Sequence, residues 1–151
     1  MKINWQIKKF EELNTVELYE IIRLRAEVFV VEQNCPYQDM DGKDLKSFHL
    51  LGIDENKKLI AYSRIVPAGI SFKEVSIGRV VTSQKVRGTG VGKELIIESI
   101  KAIEKEYGKV PIRIGAQCYL KKFYESLGFE IASKEYLEDN IPHIEMILKK
   151  V

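Results

Sequence analysis

Val75-Ser76-Ile77-Gly78-Arg79-Val80-Val81-Thr82 leads through Ser83-Gln84-Lys85-Val86 into Arg87-Gly88-Thr89-Gly90-Val91-Gly92, and a run with apolar residues at Ile96, Ile100, Ile103 and Tyr107 follows. The first part is β-branched and apolar and reads as a strand. The spacing of the last part places its apolar residues on one face of a helix. Gly108 suits the C′ position of that helix, and Pro111 prevents its continuation. Between strand and helix, glycine stands at every second position, so backbone N–H groups can approach a ligand with no Cβ in the way. The helix that follows opens with unpaired N–H groups and a partial positive charge. Arg87 and Lys93 add fixed positive charge at the same place. The combination suits a phosphate or pyrophosphate.

Two familiar phosphate loops fail on spacing. In the dinucleotide pattern Gly-x-Gly-x-x-Gly, counted from Gly88, the third glycine falls on Lys93. In the Walker A pattern the first glycine falls on Arg87, and Gly92-Lys93 is followed by Glu94 rather than Ser or Thr. What remains is Arg-x-x-Gly-x-Gly, filled by Arg87, Gly90 and Gly92. This resembles the coenzyme A loop of the GNAT superfamily of acyl-CoA-dependent N-acyltransferases. A glycine-rich turn without a ligand is the alternative reading of the same residues.

Composition narrows the classes further. A chain of 151 residues with 45% hydrophobic and 30% charged residues suits one folded domain, here taken as residues 1–151. A net charge of +2 gives no support to nucleic-acid binding. No apolar run is long enough to cross a membrane, and the start, Met1-Lys2-Ile3-Asn4-Trp5-Gln6, is not a signal peptide. The two cysteines, Cys35 and Cys118, have no metal-ligand or redox spacing. A reduced, cytoplasmic setting is the simplest reading.

From the N-terminus, Asn4 to Lys8 alternates and reads as a strand with Trp5 and Ile7 on one face. Asn14 and Glu17 form a capping box for a helix whose apolar face is read as Val16, Tyr19, Ile22 and Ala26. Asn34 to Gly42 is turn-rich and acidic. Its aspartates do not make an EF-hand loop, because glycine is fourth rather than sixth from Asp39. Phe48–Asp54 and Leu59–Val66 read as a hairpin around Glu55-Asn56-Lys57-Lys58. Val110–Gln117 is a further strand, Tyr119–Leu127 a helix closed by Gly128, and Phe129–Tyr136 the next strand. Glu138-Asp139-Asn140 turns into a last strand opening at Ile141.

Two more segments carry the resemblance. Leu120-Lys121-Lys122-Phe123-Tyr124-Glu125-Ser126-Leu127-Gly128-Phe129 is similar to the Phe-Tyr helix and Gly-Phe strand that close many GNAT folds. Val28 to Gln33, Cys35-Pro36-Tyr37, Asp39, Asp41-Gly42, His49 and Ile141 to Met146 resemble the ElaA-type acetyltransferase subgroup, which often has glycine where Asn140 stands. Asn also tolerates positive φ. The implied fold is α/β (α+β): a GNAT-like mixed, mostly antiparallel sheet of about seven strands with helices on both faces.

The resemblance implies an N-acetyltransferase that moves an acetyl group from acetyl-CoA to a primary amine by direct attack in a ternary complex, with no metal. A non-catalytic acyl-CoA-binding module is the alternative, and a nucleotide-binding domain of another kind is a third class. Cofactor contacts would come from Val80, Val81, Arg87, Gly88, Thr89, Gly90, Val91, Gly92, Lys93 and Gln117. The Val81 N–H is the candidate oxyanion donor and Tyr124 the candidate acid for the leaving thiolate. A phenol near 10 and a thiol near 8.5 make that transfer uphill by roughly 2 kcal/mol, so a hydrogen bond to sulfur is the larger contribution. The general base is left open among Glu32, His49, His143 and Glu145. Cys118 has no evident base and makes a poor nucleophile. Arg79 either lines the acceptor site or pairs with a carboxylate. Asp39, Asp41 and Asp44 either attract a cationic amine or form a solvated acidic loop. The acceptor, a small amine or a peptide or protein amine, is not specified, and the last strands allow a homodimer without requiring one.

Overall fold

The first strand, β1 (Asn4–Lys9), turns Trp5 and Ile7 toward one face of the sheet and Lys8 toward the other, as its alternation predicts. It pairs antiparallel with β2 (Phe48–Ile53), which pairs with β3 (Leu59–Val66), which pairs with β4 (Ser76–Thr82). In the second half of the chain β5 (Ile112–Gln117), β6 (Glu130–Ile131) and β7 (Tyr136–Glu138) assemble around β8 (Ile141–Leu148). The computed structural model describes residues 2–149, so the ends of the 1–151 domain, Met1 and 150–151, lie outside the described residues. Among the described residues the expected single sheet of about seven strands is eight strands in two sheets. No helix among them is long and apolar enough to cross a membrane.

Helices cover both faces. The Asn14–Glu17 capping box forms, at 2.7 and 2.9 Å, and opens α1 (Thr15–Arg25). A π-helical turn, Ala26–Glu32, extends it. The buried stripe of this unit is Ile21, Leu24, Arg25 and Val28, packed against Leu51, Tyr62 and Val81. This corrects the predicted face, since Val16 and Tyr19 are each 69% exposed. The sheet-facing position goes to Arg25, which has carboxylate partners there. On the other face α2 (Val91–Tyr107) buries Val91 and Leu95 against Leu50 and Ala61. Its Ile96 and Ile103 pack with Ile77 of the first sheet and Ile112, Ile114 and Met146 of the second, so one helix ties the sheets together. A short helix, α3 (Lys121–Ser126), follows β5 and carries Tyr124.

The predicted strand Phe129–Tyr136 is broken into β6 and β7. Ser133 explains the break: its hydroxyl accepts the Glu145 N–H at 2.9 Å while Ala132 N–H donates to the Glu145 carbonyl at 2.8 Å. A side chain thus replaces a main-chain partner, and residues 132–135 loop out opposite Ile144 and Glu145. The β7–β8 turn holds Asp139 and Asn140 at φ +50° and +63°, the conformation that asparagine was expected to tolerate.

The three aspartates of the acidic loop, of which Asp39 is buried, Asp44 half-buried and Asp41 exposed, are not free to attract an amine, because they serve three arginines. Arg25, 1% exposed, meets Asp39 and Asp44 at 2.8 Å each. Arg64, 3% exposed, meets Asp41 at 2.8 Å and Asp44 at 3.0 Å. Arg79 meets Asp39 at 2.8 Å, and Tyr37 donates its hydroxyl to the same carboxylate at 2.7 Å. Burial alone would raise the pKa of Asp44, but the hydrogen bond and charge of Arg25, with those of Arg64, more than offset it and hold it below the usual range. Asp41 is held low in the same way by Arg64. Carboxylates with depressed folded pKa values stabilise the fold above the unfolded value of about 4 and lose that contribution as pH falls. Asp44→Asn takes one of two carboxylates from each of two buried guanidinium groups, leaving Arg25 with Asp39 and Arg64 with Asp41, and is expected to lower stability by about 3 kcal/mol at pH 7. In denaturant titrations at a series of pH values the gap between the two proteins should narrow as pH falls below about 4, where the unfolded parent takes up the proton that folded Asp44 resists. A gap independent of pH would show that charge is not what Asp44 contributes.

Candidate active site

Strands β4 and β5 begin side by side and then part. They meet at one parallel bridge, Val75 with Ile112, where Arg113 N–H donates to the Val75 carbonyl at 3.0 Å. Beyond it they are unpaired among the described residues, and a cleft of about 1190 Å³ fills the gap. The cleft is bordered by Val80, Val81 and Thr82 on one wall and by Ala116, Gln117 and Tyr124 on the other.

The β4 wall is bulged. Between the pairs Arg64–Gly78 and Tyr62–Val81, two residues of β4, Arg79 and Val80, face Ser63 alone. Arg79 takes φ +48°, a strained conformation for a residue with a Cβ. Its guanidinium is fixed by the Asp39 carboxylate and carbonyl, at 2.8 and 2.9 Å, and lies 5.5 Å from the centre of the Tyr37 ring. Arg79 pairs with a carboxylate, one of the two alternatives read for it, and it also borders the cleft.

The bulge also fixes which backbone groups face the cleft. Ser83 N–H donates to the Ile60 carbonyl at 2.8 Å, and Val81 stands opposite Tyr62. By antiparallel alternation the Val81 N–H points at β3 and the Thr82 backbone groups point away from it, toward the cleft. Val81, whose N–H is read from the sequence as the candidate oxyanion donor, therefore turns that group to β3 and not to the cleft. Its side chain packs with the α1 cluster, and Val80, two residues before Thr82, occupies the cleft side of the alternation.

At the other end lies the glycine loop. Gly88 and Gly90 have φ +78° and +87°, and a Cβ at Gly88, Gly90 or Gly92 would meet nothing within 4 Å. Gly90 is the N-cap of α2 and offers no capping side chain, so the first N–H groups of the helix are left for an external acceptor. Lys93 is exposed in the first turn, while the Val91 side chain is buried and leaves only its backbone for the loop. Thr89 turns its hydroxyl back onto the Val86 carbonyl. Arg87 pairs with Glu32 at 2.5 Å, and Gln84 donates to the same carboxylate at 2.6 Å. An open cradle of main-chain donors, ringed by exposed cationic groups and continuous with a long cleft, fits a pyrophosphate with an extended arm, as coenzyme A has.

The opposite wall carries the remaining groups. Tyr124 is 5% exposed and wedged edge-on against Phe123 and Phe129, at 5.2 and 5.6 Å between ring centres. Burial pushes its phenol well above the ordinary value, so it is neutral and able to donate. The side chains of Gln117 and Gln33 exchange hydrogen bonds at 3.3 and 3.5 Å, linking the end of β5 to the π-helical turn. Gln117, His143 and Tyr136 lie opposite one another across β5, β8 and β7. The Tyr136 hydroxyl lies 2.8 Å from where a Gly115 Cβ would stand, so glycine there lets the ring settle over β5 where a side chain would make it shift. Burial, then nearby carboxylates, push Tyr136 up to about 12.

The four candidate bases separate. His49 is buried away from the cleft, with its ring nitrogens 2.7 Å from the Tyr62 hydroxyl and 2.9 Å from the Asp44 carbonyl. Glu32, His143 and Glu145 border the cleft. Cys118 lies beside Glu135, and burial, then that carboxylate, raise its thiol, which makes it a poor nucleophile. Gln33, read only within a motif, and Tyr136 were not read as site residues from the sequence, since their placement depends on register between distant segments.

Residues 13–150 match the acetyltransferase (GNAT) domain family. The protein ElaA of Escherichia coli K12 is 43% identical over 146 residues, 95% of each chain. The crystal structure of Escherichia coli ElaA superposes with a TM-score of 0.91 and 41% identity, covering 98% of this chain and 100% of that one. An acyl-CoA N-acyltransferase from Pseudomonas aeruginosa superposes with a TM-score of 0.89 and 40% identity, over 95% and 98% of the two chains. The fold persists at 18% identity in an aminoglycoside 6′-N-acetyltransferase complexed with coenzyme A, with a TM-score of 0.69 over 94% of this chain and 95% of that one. The strand–glycine loop–helix unit, the parted strands and these likenesses agree, and the chain belongs to the GNAT acetyltransferase family.

Proposed function

We propose that this chain transfers an acetyl group from acetyl-CoA to a primary amine, by direct attack with both substrates held in the one cleft. The observation that carries this reading is the continuity of the cleft, from the glycine cradle at the start of α2 to the buried phenol of Tyr124. Acetyl-CoA supplies the acyl group as a thioester, whose sulfur departs as a thiolate. The backbone N–H groups of Gly88 to Gly92 and the charges of Arg87 and Lys93 hold the phosphates. The outward backbone of Val80 and Thr82 holds the arm, and Gln117 reaches it from the other wall. With Val81 turned to β3, the Val80 N–H is the donor left to polarise the reacting carbonyl. Tyr124, neutral and fixed by its aromatic neighbours, donates to the departing sulfur.

Two measurements test this. Calorimetry with acetyl-CoA should show binding by the parent and a loss of at least about 100-fold in Gly90→Trp, whose side chain blocks the cradle and opposes φ +87°. A folded parent that binds no acetyl-CoA would sink the reading and return the glycines to a structural turn. With a panel of primary amines and detection of free thiol, Tyr124→Phe should lower kcat by about 10- to 100-fold, leaving acetyl-CoA affinity within about threefold. Binding without thiol release from any amine would favour a non-catalytic acyl-CoA-binding module.

A further inference from the structure

Direct attack requires a group that takes the proton the amine nitrogen sheds. His49 is buried away from the cleft. Glu32 stands beside the glycine loop, where hydrogen bonds from Arg87, then Gln84, hold it below the usual carboxylate range. Glu145 is 3.0 Å from Arg113, which also grips Glu74 at 3.0 Å. Glu145 would have to give up its guanidinium partner to serve as base, and Glu32, whose exposed pair with Arg87 exchanges readily, stands at the phosphate end of the cleft.

His143 is different. It is 7% exposed, borders the cleft on β8, and stands in register between Gln117 and Tyr136. Its Nδ1 is 2.7 Å from the Ile141 carbonyl. A carbonyl only accepts, so Nδ1 carries the hydrogen and the neutral ring keeps its lone pair on Nε2. The ring is further fixed by stacking on Tyr136, at 5.9 Å and 29° between planes. On the Nε2 side the Glu138 carboxylate lies at 3.7 Å, too far for a hydrogen bond to the neutral ring but close enough to favour the imidazolium once it forms. Tyr136 and Glu145 are the other titratable groups of β7 and β8 that border the cleft beside it.

The geometry points to His143 Nε2 as the general base of this reaction, with Glu138 as the residue that stabilises its protonated form. The assignment rests on the acyl-transfer reading above. The new N–C bond forms as the C–S bond breaks. The proton from nitrogen passes to Nε2, and the proton from the Tyr124 hydroxyl passes to sulfur. His143 then returns its proton to water and Tyr124 regains one, so the products are the amide and the free thiol.

The test uses the full chain with acetyl-CoA and a fixed panel of small primary amines and lysine peptides, with free thiol as the signal. His143→Gln is expected to lower kcat by about 100-fold or more, with acetyl-CoA affinity unchanged by calorimetry. In His143→Gly, added imidazole should restore turnover, which no purely structural role predicts. Glu138→Gln, exposed at the end of β7 and safe for folding, should lower kcat by about three- to tenfold. The assignment is overturned if kcat in a folded His143→Gln stays within about threefold of the parent, or if imidazole leaves His143→Gly unchanged. Should the His143 variants not fold, an unaltered kcat in Glu138→Gln overturns it instead. No thiol release by the parent with any amine overturns the acyl-transfer reading itself, and the base with it.

Discussion

Strands β4 and β5 meet at Val75 and Ile112 and then part, and among the described residues the edge that each turns to the other has no partner strand. Main-chain N–H and C=O groups withdrawn from a ladder need another partner, water or ligand. The parting is held by packing, because α2 presses Ile96 and Ile103 into a core shared by both sheets. Full burial of such side chains contributes about 1.5–3 kcal/mol each. The same helix opens at Gly90, so the element that bridges the two sheets also brings its positive end to the cleft. Site and core are therefore consequences of one arrangement.

The arginine–aspartate network sets the shape of the β4 wall. Arg79 sits at a backbone angle that costs of order 1–3 kcal/mol, and the Asp39 carboxylate and carbonyl hold it there. Asp39 is in turn fixed by Arg25, which stands in the core-facing stripe of α1. Helix, acidic loop and bulge are thus one connected unit, and three positive charges balance three negative ones. A buried ion pair is not by itself evidence of extra stability. Its evident consequence here is geometric, since it determines where the β4 backbone turns toward the cleft.

Features written in local spacing were legible in the sequence. The Asn14–Glu17 capping box, the isoleucine stripe of α2, the alternating glycines and the asparagine at positive φ each depend on residues a few positions apart. What escaped depends on contacts between distant segments. The face of α1 was misread because Arg25 takes a core position that an apolar-stripe rule assigns elsewhere, and its partners lie 14 and 19 residues on. The break between β6 and β7 follows from Ser133 capturing the Glu145 N–H, which no propensity encodes. The direction of the Val81 N–H needed the β3–β4 register, and the Nδ1–H form of His143 needed the position of the Ile141 carbonyl.

The two ends of the cleft differ in how they are built, and this bears on how Arg87 can serve a phosphate while paired with Glu32. The phosphate end is made of main-chain donors and exposed charges, and the far end of packed side chains. The Arg87–Glu32 pair belongs to the first kind, with side chains 40% and 30% exposed. Pairs so exposed are worth roughly 0–1 kcal/mol, because water solvates the separated groups almost as well. A phosphate carries more charge than one carboxylate and accepts a bidentate guanidinium as readily. Exchange of partners by Arg87 therefore meets little resistance, whereas displacing Arg79 or Arg25 from Asp39 would leave buried charge unpaired. On the proposed function, the charges that exchange partners lie at the surface, and those that fix the β4 wall lie in the core.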